Sequence, residues 1–169
     1  MKENGVPQGW IETELPMIAE IIMGQSPPSS TYNEESIGLP FYQGKKDFGE
    51  LYPSPVKYCD NPKKIAEAGD ILISVRAPVG ATNLCKERSA IGRGLAAIRP
   101  LDDIQSLYLL SYFRKIEQFI AKKGTGSTFT AISKSHFQDI QIPLPPLNEQ
   151  KRIVAKLEKL LGKVNDSQE

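Results

Sequence analysis

Acid–base, nucleophilic and metal chemistry all need His, Cys or grouped carboxylates, and this chain has one histidine, His136, and two cysteines, Cys59 and Cys85. The cysteines lack CxxC spacing, so a tetrahedral zinc site has too few ligands at hand, and nothing marks a Cys–His nucleophilic pair. His136, beside Phe137, is expected at a surface or an interface. The phosphate-binding loops fail as well. Gly92-Arg93-Gly94-Leu95-Ala96-Ala97 matches GxGxxA, but Pro100 blocks the helix that must follow. Five residues separate Gly38 from Gly44-Lys45 where a P-loop has four, and Lys46 stands in place of the Ser/Thr. Asn61-Pro62 is followed by Lys63, which is not the Asn/Asp-Pro-Pro-aromatic element of an amino-methyltransferase. No catalytic residue, metal ligand or cofactor site is therefore expected. The chain reads as a binder.

The cations suggest what it binds. Lys+Arg 21 against Asp+Glu 20 leaves a net charge of +1, which excludes a histone-like polycation but not a local basic surface. Residues 1–60 hold four lysines against nine acids, whereas residues 61–100 hold seven cations against three acids. Such segregation predicts one positive face. Within the Gly-rich, strand-like stretch from Arg76 to Arg99, the anion-contacting candidates are Arg76, Lys86, Arg88, Arg93 and Arg99. Lys45 and Lys46 sit in the turn Gly44-Lys45-Lys46-Asp47. The segment from Lys122 to Lys134 adds the polar loop residues Ser127 and Thr128. Nucleic-acid recognition needs cations for phosphates and exposed polar side chains for base edges. The candidates for DNA contact are thus Lys45, Lys46, Arg76, Arg88, Arg93, Ser127, Thr128 and Lys134. Arg76 and Arg93 are the best for base edges, because a tight glycine turn adjoins each. Near-zero net charge predicts modest affinity for the chain alone.

The elements that must position these residues are strands first and helices late. Trp10 to Leu15 alternates like a half-buried strand, and Pro16 opens a short turn or helix. Glu20 to Met23 continues that turn or forms a strand, and Gly24 to Ser30 is a loop. Leu39 to Gln43 and Leu95 to Ile98 are strand-like, and Ile71 to Val75 is the best strand of all. Asn61-Pro62 predicts a short helix to Ala68, stopped by Gly69. Asp102 or Asp103 should cap a helix carrying Leu109, Tyr112, Phe113, Ile116, Phe119 and Ile120, with Gly124 just beyond its end. Phe137 to Ile142 is a short helix or strand, and Pro143, Pro145 and Pro146 form a rigid hinge.

After Asn148 a last helix is expected to run to about Val164. Ile153, Leu157, Leu160 and Val164 are spaced 4, 3, 4, the seam of a coiled coil, and Lys151, Arg152, Lys156, Glu158, Lys159 and Lys163 cover the other faces. The seam is expected to serve self-association or partner binding. Folding back on its own domain is the alternative. At 169 residues the chain suits one ordinary domain with an appended helix. No apolar run approaches the roughly 20 residues of a membrane span, and the N-terminus lacks signal-peptide layout. Two cysteines set no disulfide framework, so a cytoplasmic setting is expected.

The run Ile140-Gln141-Ile142-Pro143-Leu144-Pro145-Pro146-Leu147-Asn148-Glu149-Gln150-Lys151-Arg152-Ile153-Val154-Ala155-Lys156-Leu157 resembles the junction of type I restriction–modification specificity subunits. There an IPLPPLxEQKRIVAKL stretch joins a target-recognition domain to a conserved spacer helix. Gly9-Trp10, Gly69-Asp70-Ile71-Leu72-Ile73-Ser74 and Gly126-Ser127 agree with it more loosely. The resemblance implies an α/β fold: a single target-recognition domain with a mixed twisted β-sheet and short helices, over residues 1–146, then a coiled-coil spacer and dimerisation helix over 147–169. It implies sequence-specific reading of double-stranded DNA by a non-catalytic subunit without cofactors. The implied partners are modification (methyltransferase) subunits and, through them, a restriction subunit. Family members usually hold two such domains and two such helices. One of each here implies a half-subunit that acts as a homodimer or pairs with a second half. The competing readings are a protein-interaction adaptor without DNA readout, and a recognition domain split from a fused DNA methyltransferase.

Overall fold

The computed structural model describes residues 2–3, 5–124 and 131–166, with backbone alone for 2–3 and 163–166. Ser127 and Thr128 lie outside the described residues, as does the side chain of Val164. In chain order the strands are β1 (Lys2–Glu3), β2 (Val6–Pro7), β3 (Ile11–Glu14), β4 (Ala19–Met23), β5 (Tyr32–Asn33), β6 (Leu39–Tyr42), β7 (Lys57–Cys59), β8 (Ile65–Ala66), β9 (Ile71–Ser74), β10 (Thr82–Leu84), β11 (Ser89–Ile91) and β12 (Leu95–Pro100). The helices α1 (Ser106–Lys115), α2 (Glu117–Lys123) and α3 (Lys134–Gln138) follow, then β13 (Gln141–Leu144) and α4 (Leu147–Asp166).

Two sheets and a helical layer share the core. The first sheet has the order β10-β9-β12-β4, antiparallel throughout. The second has the order β5-β7-β6-β11-β8 and is mixed, because β11 runs parallel to β6 while its other pairs are antiparallel. Alternation along the first sheet sends Ile71, Ile73, Ala96 and Ile98 to one face, where they meet Leu109, Phe113, Ile120 and Phe137 from the helices. Leu72, Leu95 and Ala97 point the other way, into a cluster with Tyr42, Ala66, Cys85 and Ile91 of the second sheet. Buried on both faces, β9 has no polar side to show, which is why Ile71 to Ser74 reads as a near-continuous apolar run.

The α/β expectation of mixed sheet, short helices and a C-terminal helix therefore holds, with two sheets in place of one. Four local expectations do not. The helix from Asn61 is absent, because Ile65 and Ala66 pair with Ala90 and Ser89 as an edge strand. Neither Asp102 nor Asp103 caps α1; the cap position is Gln105, whose N–H is taken by the Gln150 side chain at 3.0 Å. The single late helix is two, broken at Ile116, and Phe119 on the second is 56% exposed. Trp10 to Leu15 is a strand only over Ile11–Glu14, and Ile11 is exposed rather than half-buried.

The junction to α4 is held by the residues of the resembling run. The Trp10 indole donates to Glu149 Oε2 at 2.9 Å, and buried Gln150 donates to the Pro145 carbonyl at 3.1 Å. The Tyr108 hydroxyl donates to the Pro143 carbonyl, and the Tyr112 hydroxyl donates to that of Gln141 at 3.1 Å. Strand β13 pairs with β3 across the same region. Glu149 and Gln150 thus tie the first turn of α4 to both chain termini of the domain.

Candidate nucleic-acid interface

Three strand ends meet at one rim. The parallel pair β6 and β11 places Tyr42 opposite Ile91, so the residues that follow each strand emerge on the same edge. From β6 come Gln43, Gly44, Lys45 and Lys46; from β11 come Gly92, Arg93 and Gly94. Strand β9 of the other sheet ends beside them, since Val75 N–H donates to the Gly94 carbonyl at 3.0 Å and Arg76 follows directly. Glycine is required here by proximity. A Cβ at Gly94 would stand 2.1 Å from the Gln43 carbonyl oxygen, and one at Gly24 would stand 1.9 Å from that of Gly92. The backbones touch, and the side chains between them are thrust outward.

The result is an open cleft of about 490 Å³ lined by Lys45, Lys46, Arg76 and Arg93, with Ser26, Tyr32, Gln43, Ser74, Ala77 and Pro78 between them. Each cationic root is fixed. Lys45 and Lys46 ride a single 3-10 turn that Asp47 closes, its Oδ2 accepting the Gln43 N–H at 2.7 Å. Arg93 N–H donates to Ser26 Oγ at 3.2 Å. Ser74 Oγ donates to the Arg76 carbonyl at 2.8 Å, and the Ala77-Pro78 peptide after it is cis. Among the described residues, none of these four cationic side chains has an ion-pair partner. The only carboxylate at the rim, Asp47, is occupied by backbone.

The remaining candidates lie elsewhere. Arg88 precedes β11, at the opposite end of that strand from Arg93, and faces Glu67 at 3.7 Å. Arg99 grips buried Asp70 through Nε and Nη2, the latter at 2.9 Å, and reaches Glu20 at 3.7 Å. Its hydrogen bond to Asp70 holds the guanidinium pKa above the ordinary arginine value. Lys134 opens α3, exposed, and is not in the cleft. The chain just before it passes the cleft, however, because Ala131 bridges Arg76 and Ile132 N–H donates to the Val75 carbonyl. His136 is half-buried and local, its Nδ1 accepting the Ser133 N–H at 2.8 Å to close the start of α3. Both cysteines are buried, and burial pushes the Cys85 thiol up to about 11, which keeps it protonated and inert. Among the described residues no His/Cys/Asp/Glu group could hold a metal ion.

The last helix does not turn its whole seam away. Leu157 and Leu161 line a groove of about 190 Å³ with Leu107, Leu110, Ser111 and Arg114 of α1 and with Leu51. Ile153 is half-buried, whereas Leu160 is 52% exposed. The helix therefore folds back on its own domain through one part of the seam and shows another part to solvent. Among the described residues no helix is long and apolar enough to cross a membrane.

Residues 7–168 match the family model of the type I restriction modification DNA specificity domain. The chain belongs to that family. Its likeness to solved members is close: the HsdS subunit from Thermoanaerobacter tengcongensis shares 50% identity with a TM-score of 0.83, over 95% of this chain and 39% of that one. A chain from a structure of type I R-M complex assembly and conformational transition shares 52% with a TM-score of 0.86, over 95% of this chain and 40% of the other. A Methanocaldococcus jannaschii protein named for the MjaX type I restriction enzyme specificity subunit is 47% identical over 158 residues, 90% of this chain and 36% of its own length. The chain thus spans about two-fifths of the length of these specificity-domain relatives.

Proposed function

We propose that this chain reads a short segment of double-stranded DNA as the non-catalytic recognition half of a type I specificity subunit. The observation that carries the reading is the convergence of Lys45, Lys46, Arg76 and Arg93, without partners among the described residues, on one open cleft at three strand ends. Phosphates would meet the two lysines on their exposed turn, and the two arginines, on glycine-locked roots, would reach base edges in a groove. Ser127 and Thr128 belong to the loop that ends at Ala131, beside Arg76, and join the same surface in this reading. Arg88 and Lys134 serve as flanking phosphate contacts at most. A protein adaptor or a split methyltransferase recognition domain gives no reason for a cleft of unpaired cations, or offers none that the family does not already supply.

One domain specifies only a few base pairs, so a second, at fixed separation, completes the address. Ile153 and Leu160, with Val164 one turn on, offer the exposed part of α4 to a second copy or a second half-subunit. Modification subunits, and through them the restriction subunit, dock on the same assembly in the cytoplasm. Leu157 is reassigned to packing within the domain.

The test is a selection of duplexes from a random pool. A short preferred sequence is the expected result, with log K falling against log salt at a slope no steeper than about −3.6 if all four cations meet phosphates. Binding that is indifferent to sequence would refute the reading.

A further inference from the structure

We propose that Gln43 is a specificity-determining residue of this cleft, its carboxamide pairing with the N6 and N7 edge of an adenine beside the base pair that Arg93 contacts. The inference rests on the DNA-reading role and adds a reader that charge cannot reveal. Gln43 is the first residue after β6 and lines the cleft between the lysine turn and the Arg93 turn. Its backbone is clamped on both sides, its N–H by Asp47 Oδ2 at 2.7 Å and its carbonyl by the close approach of Gly94. Its side chain, by contrast, makes no hydrogen bond to any described residue, although the residue is half-buried. A half-buried carboxamide normally finds a protein partner. Here it stands in an open cleft beside cations that would bring DNA to it.

The chemistry then selects the base. An amide offers one donor and one acceptor in a plane, which matches N7 and N6–H₂ of adenine in the major groove. Arginine, a donor only, suits guanine O6 and N7. Because Gly94 locks the Arg93 turn onto the Gln43 carbonyl, the two readers are rooted side by side, and neighbouring base pairs are the expected targets. A bidentate pair of this kind gives about 5- to 150-fold preference for the right base.

The experiment repeats the duplex selection with the full chain as parent, Gln43→Ala and Gln43→Glu, after urea melts confirm that each folds. Gln43→Ala should lose the preference for adenine at one position and keep the others. Gln43→Glu, an acceptor only, should move that position toward cytosine, whose N4 donates. Should Gln43→Ala fail to fold, Gln43→Met, of similar length and without the amide, replaces it in the same assay. A variant with the parental preference at every position overturns the inference while leaving the DNA-reading role intact, and so does a loss spread evenly over all positions. A parent with no preferred sequence overturns both.

Discussion

Arg93 and Arg99 lie six residues apart in one hairpin arm, yet they do opposite work. Arg93 stands on a backbone-to-backbone glycine contact, with its guanidinium free among described residues in an open cleft. Arg99, at the far end of β12, has buried Asp70 on two of its nitrogens, the Ile65 carbonyl at 3.3 Å and Glu20 beside it. Both are arginines of the same basic stretch, and composition counts them alike. The difference is in partners. A cation whose neighbours are already carboxylates stabilises the fold, and one whose neighbours are glycines, hydroxyls and other cations is left to meet something from outside.

The comparison breaks most sharply at Arg99. Arg99→Ala strands a carboxylate that is 1% exposed, retaining only the Glu67 N–H at 2.8 Å, and should cost about 3 kcal/mol in a urea melt. DNA binding by the folded fraction should be unchanged; a melt shifted by less than about 1 kcal/mol would place Arg99 with the free cations instead. Arg76→Ala and Arg93→Ala should do the reverse, leaving the melt within about 0.5 kcal/mol of the parent and weakening DNA binding by about 1–3 kcal/mol each. A titration against salt then divides them: a lost base contact relaxes preference at one position, and a lost phosphate contact reduces the slope by about one. Parental binding by both variants would move the reading face away from the cleft.

The two sides of α4 allow the same contrast. Leu157→Glu puts a charge into the groove against α1 and should cost about 1–2 kcal/mol of stability. Leu160→Glu, on a side chain 52% exposed, should leave the melt alone and abolish self-association in sedimentation runs at several concentrations. A parent that stays monomeric throughout would exclude the homodimer and leave pairing with a different half. The smallest effect belongs to Arg88. Its pair with Glu67 is 3.7 Å long between side chains 61% and 44% exposed, so Arg88→Ala should change the melt by under about 1 kcal/mol. Its DNA affinity should fall less than that of Arg93→Ala, and an equal fall would extend the contact surface to the other end of β11.

Legibility in the sequence followed the range of the forces involved. Ile71 to Ser74 and the seam of α4 announce themselves through local apolar periodicity, and the glycine turns mark Lys45, Lys46, Arg76 and Arg93 as presented side chains. Contacts between distant segments left no such mark. Nothing near Asn61 shows that Ile65 and Ala66 will join β11, so the helix signal of Asn-Pro stood unopposed. Nothing near Asp102 shows that Gln150 will bring its carboxamide to Gln105, 45 residues away. Ser26 and Gln43 were missed for the same reason: they matter because Arg93 and Gly94 are laid against them by a parallel pairing without local signature. Arg88 and Lys134 were included because charge is visible in a sequence and its neighbours are not.

The knot of Trp10, Glu149 and Gln150 at the root of α4 has a mechanical consequence. With 20 residues, α4 is a lever about 30 Å long. A tilt of about 7° at its root would carry its tip by roughly 3.5 Å, the height of one base-pair step. Any assembly that measures distance along DNA with this helix can therefore be no more accurate than its hinge. The indole-to-carboxylate bond and the buried carboxamide hold that hinge at the lever's short end, where a small angular error becomes a whole step at the long end.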